Sequence, residues 1–194
     1  MLVNMRELLE DAEIGNYAVG SFSVANMEMV LGVLKAAEEL NAPVILQIAE
    51  VRLKQSPLEI IGPLMVAAAE NASTPVAVHF DHGKTIEKIT EALDIGFTSV
   101  MFDILKQVDD MTDTPLVLHG GTGISPEDFV KCSKTGIKKI NIATATFDSV
   151  ENNVREAYKN GNIQGYYDLH EAEIEGAYKN AKRHILIFGS DNKA

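Results

Sequence analysis

Two imidazoles and a carboxylate meet at the end of the apolar segment VAVHF, which is followed by Asp81-His82-Gly83. Alternate residues of a strand share a face, so we expect His79 and Asp81 to point the same way, with His82 opening the loop. A carboxylate beside an imidazole can act as a general base next to a metal ligand. The spacing is equally consistent with an ordinary strand end whose Asp caps the next helix.

A second cluster, His119-Gly120-Gly121-Thr122-Gly123, follows the apolar segment PLVL. Glycines let backbone N–H groups approach an anion closely, and the hydroxyl of Thr122 adds a donor. A plain glycine turn is the alternative. A histidine directly before such a turn at a strand end is less common, so the pattern favours a functional site.

The third cluster lies at the end of the last apolar segment, where a helical pattern begins. Asn141, Ile142, Ala143 and Thr144 offer backbone N–H groups and polar side chains at that point. The N-terminus of a helix is a ready site for phosphate. N-capping of the helix by Thr144 or Thr146 explains the same residues, and both interpretations stay open.

The elements that must position these clusters alternate between apolar segments and amphipathic stretches, which predicts an α/β fold with a parallel sheet. The predicted strands are 17–24, 44–49, 76–80, 99–102, 115–118 and 139–143. The predicted helices are 5–13, 27–40, 58–71, 85–94, 104–111, a helix starting at 125–128, 146–159 and 166–187. A TIM barrel has eight strands, whereas six can form an open doubly wound sheet, so the count alone does not decide.

One connection is too short for this pattern. The strand ending at Asp103 is followed at once by the helical pattern of residues 104–111, without turn residues. Loops between a strand and a helix usually take two to six residues. The alternation therefore indicates an internal gap between residues 103 and 104.

Length, charge and cysteine content limit the classes of protein to which the chain can belong. The chain has 194 residues, which suits a single domain spanning 1–194, and a formal net charge of −11. Such a charge argues against a nucleic-acid partner but leaves room for a small anionic substrate. No apolar segment is long enough to span a membrane, residues 1–10 do not resemble a signal peptide, and the single Cys132 fits a reducing cytoplasm.

The three clusters together resemble the class II, zinc-dependent ketose-bisphosphate aldolases, which act on fructose or tagatose bisphosphate. The segment YAVGSFSVAN at 17–26 and FGSD at 188–191 fit the same family. The resemblance implies a TIM (β/α)8 barrel and a glycolytic lyase. It implies reversible aldol cleavage of a ketose 1,6-bisphosphate to dihydroxyacetone phosphate and glyceraldehyde 3-phosphate.

The resemblance also assigns roles. It implies that Asp81 is the catalytic acid/base and that His82 and His119 are two of three histidine ligands to zinc. Asp103 would touch a second metal position, and a monovalent cation is a further possibility. Cytoplasmic homodimers or homotetramers are expected. The predicted substrate-binding residues are Asn26, Gly120, Gly121, Thr122, Asn141, Ile142, Ala143 and Thr144, and Ala143 points towards the tagatose branch.

The chain departs from the family after Asp103. Two central strand–helix units of the barrel are missing, and with them the third zinc histidine and a glutamate associated with proton transfer. Neither His170 nor His184 is at a predicted strand end, so neither replaces that ligand. Either the molecule has a segment that this sequence omits, or the deletion is real. The second case predicts a non-catalytic remnant that binds sugar phosphates or a partner chain.

Overall fold

The computed structural model describes residues 1–102, 116–118, 125–134 and 137–194. Its sheet has six strands, and every pair of neighbours runs parallel. The strands are β1 (Val19–Ser23), β2 (Val44–Ala49), β3 (Val76–Gly83), β4 (Ser99–Phe102), β5 (Leu116–Leu118) and β6 (Ile137–Ile142). All six correspond to predicted strands, so the predicted α/β fold with a parallel sheet is confirmed.

Helices connect and flank these strands. They are α1 (Met5–Gly15), α2 (Met27–Glu39), α3 (Leu58–Asn71), α4 (Ile86–Ile95), α5 (Pro126–Lys134), α6 (Thr144–Lys159) and α7 (Tyr166–Phe188). Local sequence sets several boundaries: Thr85 caps the N-terminus of α4, and Gly96 ends that helix in the left-handed conformation. Within the described ranges, no helix combines the length and the apolar character that a membrane crossing requires.

The strand order of the sheet is β4-β3-β2-β1-β6-β5. The first four strands lie side by side in sequence order, each joined to the next through a helix. The last two strands are added beyond β1, so β4 and β5, which follow each other in the sequence, lie at opposite edges. All carboxyl ends point to the same edge of the sheet, where α/β proteins place their sites.

The two faces of the sheet differ in chemistry. One face packs against the helices and forms the main apolar core, which includes Phe22, Leu46, Phe80 and Ile140. The opposite face, called the inner face below, is apolar only near the start of the strands, where α1 covers Val19, Ile45 and Ala77. Towards the carboxyl ends the inner face carries the buried polar residues Ser21, Ser23, Gln47, His79, Asp81, Lys139 and Asn141.

Close helix packing supports the main apolar core, which lies on the outer face of the sheet and is called the outer core below. A Cβ atom on Gly32 of α2 would lie 2.4 Å from the carbonyl oxygen of Ile174 in α7, so only glycine lets the two helices approach this closely. Phe188 and Ile185 of α7 are fully buried in the same core. The predicted helix over 104–111 lies outside the described residues.

Candidate active site

A cavity of about 390 Å³ opens at the carboxyl ends of β1, β2, β3 and β6. Its walls combine carboxylate, imidazole, amide and hydroxyl groups with one aromatic ring and one guanidinium. They are formed by Ser23, Val24, Gln47, Ile48, Ala49, Val51, Arg52, Asp81, His82, Asn141, Ala143, Thr144 and Phe147. The structure thus brings together parts of the first and third sequence clusters, which are about sixty residues apart in the chain.

Asp81 lies in the wall of this cavity although its side chain is almost fully buried. Its Oδ1 atom accepts no hydrogen bond from the residues that the structure describes. Burial by itself would raise the pKa of Asp81, but the contact with His79 and the positive charge of Lys139 lower that pKa below its ordinary value. The carboxylate is therefore ionised at neutral pH and has an oxygen ready to accept a proton.

His79 lies beneath Asp81 on the inner face. Its Nε2 atom is 3.7 Å from Asp81 Oδ1, and its Nδ1 atom is 2.9 Å from the hydroxyl of Ser99 on β4. Burial lowers the pKa of His79 to about 4, although the neighbouring carboxylate of Asp81 opposes that shift. The imidazole is consequently neutral at pH 7, and it does not neutralise the carboxylate of Asp81.

His82 is held in an unusual backbone conformation, with a φ of 49°. The register between β3 and β4 shifts between Phe80 and Gly83, and such irregularities re-aim side chains beside active sites. The imidazole is 43% exposed, and its Nε2 atom is 3.9 Å from Asp81 Oδ2. β3 was predicted to end at Phe80, but its pairing continues to Gly83 and carries His82 to the cavity wall.

A hydrogen-bonded chain of side chains forms part of the cavity wall and continues beneath it. Ser21 donates to Gln47 Oε1 over 2.5 Å, and Gln47 Nε2 donates to the hydroxyl of Ser23 over 3.0 Å. Buried amides and hydroxyls are costly unless they are paired, so this chain satisfies the polar inner face. Gln47 was not among the predicted site residues, although a lone glutamine inside the segment VILQIA is a signal of a polar interior.

Asn141, Ala143 and Thr144 line the cavity at the start of α6, and their binding of a phosphate stays a prediction. Ile142 differs from these three residues, because its side chain is buried in the outer core and it does not line the cavity. The capping alternative is wrong for this helix: Ala143 is its N-cap, and the hydroxyl of Thr146 donates to the carbonyl of Ile142. The helix begins at Thr144, earlier than predicted.

Asn26 is not among the described residues that line this cavity, and its predicted contact with substrate stays a prediction. Its Oδ1 accepts from the backbone N–H of Met29 and caps α2, while its Nδ2 donates to Glu173 of α7. Asparagine is a preferred N-cap residue, and this local role accounts for its position. The motif that contains Asn26 therefore contributes to helix packing here.

Two charged residues after β2 have separate roles. Glu50 accepts hydrogen bonds from the backbone N–H groups of Lys84 and Thr85, at the start of α4. These bonds hold the turn that precedes α4, and the N-cap of that helix is Thr85 and not Asp81, to which the alternative interpretation of the first cluster gave a capping role. Arg52 instead lies in the cavity wall with its guanidinium 5.3 Å from the centre of the Phe147 ring. A cation stacked on a ring in this way remains available to an anion.

Among the described residues, one histidine is placed as a ligand of a catalytic zinc site would be, and the other ligands of such a site are not found with it. Such a site takes three protein ligands, and the described ranges contain no group of three candidate metal ligands. His82 is suitably placed and exposed, whereas His170 contacts Glu28 and His184 packs against Phe129. The predicted ligands His119 and Asp103, and the predicted phosphate residues Gly120, Gly121 and Thr122, lie outside the described residues.

Comparison with known families identifies the chain's class. The sequence profile of the family described as fructose-bisphosphate aldolase class-II matches residues 3–104 and 102–193. The chain therefore belongs to the class II fructose-bisphosphate aldolase family. The two matched segments meet at residues 102–104, where the alternation of elements indicated an internal gap.

Alignments with individual relatives also treat the chain as two segments, since one relative matches about half of the chain and another matches all of it only over a longer alignment. A fructose-bisphosphate aldolase of Thermus caldophilus is 45% identical over 103 residues, which are 53% of this chain and 33% of that protein. A fructose-bisphosphate aldolase of Staphylococcus epidermidis is 26% identical over 287 aligned positions, covering 100% of this chain and 99% of that protein. The stronger match thus spans about a third of the relative's own length.

Solved structures agree with the fold. The YdjI aldolase from Escherichia coli K12 superimposes with a TM-score of 0.92 and 27% identity, covering 100% of both chains. A putative fructose-1,6-biphosphate aldolase from Coccidioides immitis superimposes with a TM-score of 0.85 at 20% identity, covering 97% of this chain and 96% of that chain. The parallel sheet and its flanking helices are therefore those of aldolase structures.

Proposed function

We propose that this protein cleaves a ketose 1,6-bisphosphate, of the fructose or tagatose type, to dihydroxyacetone phosphate and glyceraldehyde 3-phosphate. The observation that carries the proposal is the state of Asp81, an ionised carboxylate in the cavity wall with one oxygen that accepts no hydrogen bond from the described residues. Family membership supplies the reaction class. The neutral His79 below it and the exposed His82 beside it complete the arrangement.

Asp81 would accept the proton of the substrate's C4 hydroxyl group as the bond between C3 and C4 breaks. The electron pair of that bond remains on a carbon beside a carbonyl, where it is stabilised by delocalisation onto oxygen. In the reverse direction the protonated Asp81 returns its proton to the newly formed alkoxide. Positioned acid–base groups of this kind contribute about 10² to 10⁴ in rate.

The other residues of the cavity would bind and orient the substrate. Asn141 and Thr144, at the start of α6, would hold a phosphate group, and Arg52 would add a positive charge over Phe147. A zinc ion held by His82 and His119 would act as a Lewis acid that stabilises negative charge on oxygen. We expect a homodimer or homotetramer, which sedimentation analysis would test.

We also propose that the sheet is a (β/α)8 barrel that lacks two central units. Three observations support this: the strand order, the break in the family match at residues 102–104, and alignments of 287 positions for a chain of 194 residues. The intact mass of the protein from its native source tests it. A mass that matches 194 residues means a real deletion, and a larger mass means that the missing units exist.

The function is tested by a coupled assay of fructose 1,6-bisphosphate and tagatose 1,6-bisphosphate cleavage, with added zinc and after chelation. We expect zinc-dependent turnover that falls at least about 10³-fold in Asp81→Asn, which keeps the shape but cannot serve as a base. Full activity in Asp81→Asn would disprove the role of Asp81. A wild-type protein that binds dihydroxyacetone phosphate without cleaving either substrate would instead support a non-catalytic remnant.

A further inference from the structure

Lys139 is a charged residue that lies within the protein interior. Its side chain is on the inner face of β6, and the residue is 2% exposed. In the register of the sheet it lies opposite Val19 of β1, one layer below the cavity. An ammonium group loses much hydration in such a place, and only a suitable acceptor offsets that cost.

The acceptor is Asn141, two residues further along the strand and on the same face. Lys139 Nζ donates to Asn141 Oδ1 over 2.7 Å. An ammonium has donors only, so this bond fixes which end of the Asn141 amide is the oxygen. The Nδ2 group is consequently turned away from Lys139, and Asn141 is in the cavity wall.

We propose that Lys139 is a positioning residue that orients the Asn141 amide so that its Nδ2 donates to an oxygen of a bound phosphorylated ketose. This inference rests on the proposed function for the identity of the ligand. It does not require Lys139 to touch substrate, and Lys139 is not among the cavity-lining residues. Its positive charge additionally favours the ionised form of Asp81.

The chain contains a matched control in the preceding residue. Lys138 is also buried, at 1% exposure, but strand alternation turns its side chain away from that of Lys139, and its Nζ is 3.9 Å from Glu13 of α1. Lys138→Met removes a buried ammonium without touching the contact to Asn141. It should leave the affinity for dihydroxyacetone phosphate within about twofold of wild type, whatever its effect on stability.

The first test is a double-mutant cycle on the dissociation constant for dihydroxyacetone phosphate, measured by calorimetry. We expect Lys139→Met and Asn141→Ala each to weaken binding about tenfold, and the double variant to weaken it no further. Additive losses in the double variant, or unchanged binding in Lys139→Met, would overturn the proposal. A merely structural role of Lys139 predicts losses that add to those of Asn141→Ala.

A second variant covers the case in which Lys139→Met does not fold. Asn141→Asp keeps an oxygen for Lys139 but removes the Nδ2 donor. We expect a folded protein, at least as resistant to urea as wild type, that binds dihydroxyacetone phosphate at least about tenfold more weakly. Retained binding in Asn141→Asp would refute a donor role for Asn141 and with it the purpose assigned to Lys139.

A spectroscopic measurement separates this proposal from the proposed function. The side-chain N–H signals of Asn141 are assigned in ¹⁵N NMR spectra by their loss in Asn141→Ala. We expect Lys139→Met to shift and broaden them and Lys138→Met to leave them in place. If wild type does not bind dihydroxyacetone phosphate, the proposed function fails. Unchanged Asn141 signals in Lys139→Met would by themselves overturn the positioning role.

Discussion

The two faces of the sheet are built from the same strands and nevertheless perform opposite tasks. On the outer face Phe80 and Ile140 pack against helices in an apolar core, and their neighbours Asp81 and Asn141 point into a polar interior. Apolar packing stabilises the fold without constraining chemistry. Buried charges and amides stabilise little, but they hold ionisation states and orientations that water would average out. Stability and function are therefore separated by a single residue step along β3 and β6.

The largest effect should come from the outer face. Phe80 is fully buried and lies edge-to-face against Phe97, with ring centres 6.2 Å apart. Phe80→Ala should lower the free energy of unfolding by about 3–5 kcal/mol, because it removes apolar contacts and leaves a cavity. Urea denaturation measures this, with the exposed Tyr167→Ala as the control. A loss as small as that of the control would contradict the separation of tasks.

The next largest effect is the pH dependence of stability that Lys139 on the inner face produces. Burial lowers the pKa of Lys139 to about 8 from its ordinary value of 10.5, so the unfolded chain binds the extra proton across that interval. The free energy of unfolding should therefore rise with pH between about 8 and 10.5, and the rise due to Lys139 is about 3 kcal/mol. Below pH 8 its destabilising contribution is fully present. Denaturation curves of wild type and Lys139→Met, compared pH by pH, should converge or cross in this interval; parallel curves would refute the burial effect.

A smaller effect is expected from the hydrogen-bonded chain of Ser21, Gln47 and Ser23. Gln47→Leu leaves both hydroxyls without their amide partner and should cost about 1–3 kcal/mol in the free energy of unfolding. Adding Ser21→Ala and Ser23→Ala should restore much of that loss, because no unpaired polar group then remains. Thermal unfolding of the single and triple variants compares the two. A triple variant less stable than Gln47→Leu would argue against this account.

The smallest effect on the free energy of unfolding should come from the solvent-exposed side of α6, which contacts neither face of the sheet. Arg155 and Glu151 form an ion pair of 2.6 Å, and both side chains are largely exposed. Arg155→Ala should change the free energy of unfolding by less than about 0.5 kcal/mol, and salt should reduce even that difference. Thermal unfolding at low and high salt provides the measurement. A loss comparable to that of Phe80→Ala would show that apolar burial is not the main source of stability.

Local sequence was sufficient to predict the secondary-structure elements of the protein and their order. Apolar periodicity placed all six strands and predicted a helix over 85–94, within one residue of α4 at each end, because such patterns depend on neighbouring residues. The position of Asp81 at a strand end followed from the same reasoning. The abrupt connection after Asp103 also located the break that the family match later showed.

Tertiary structure alone decided which polar residues meet. Gln47, His79 and Asn141 lie on three different strands, and only the parallel register brings them to one interior. The same long-range pairing carries β3 on to His82, and the packing of α7 against α2 brings Glu173 within hydrogen-bond distance of Asn26. Burial of Lys139 and His79 then sets their pKa values. The sequence determined the elements and their order, whereas desolvation and register, which depend on residues distant in the chain, determined the chemistry.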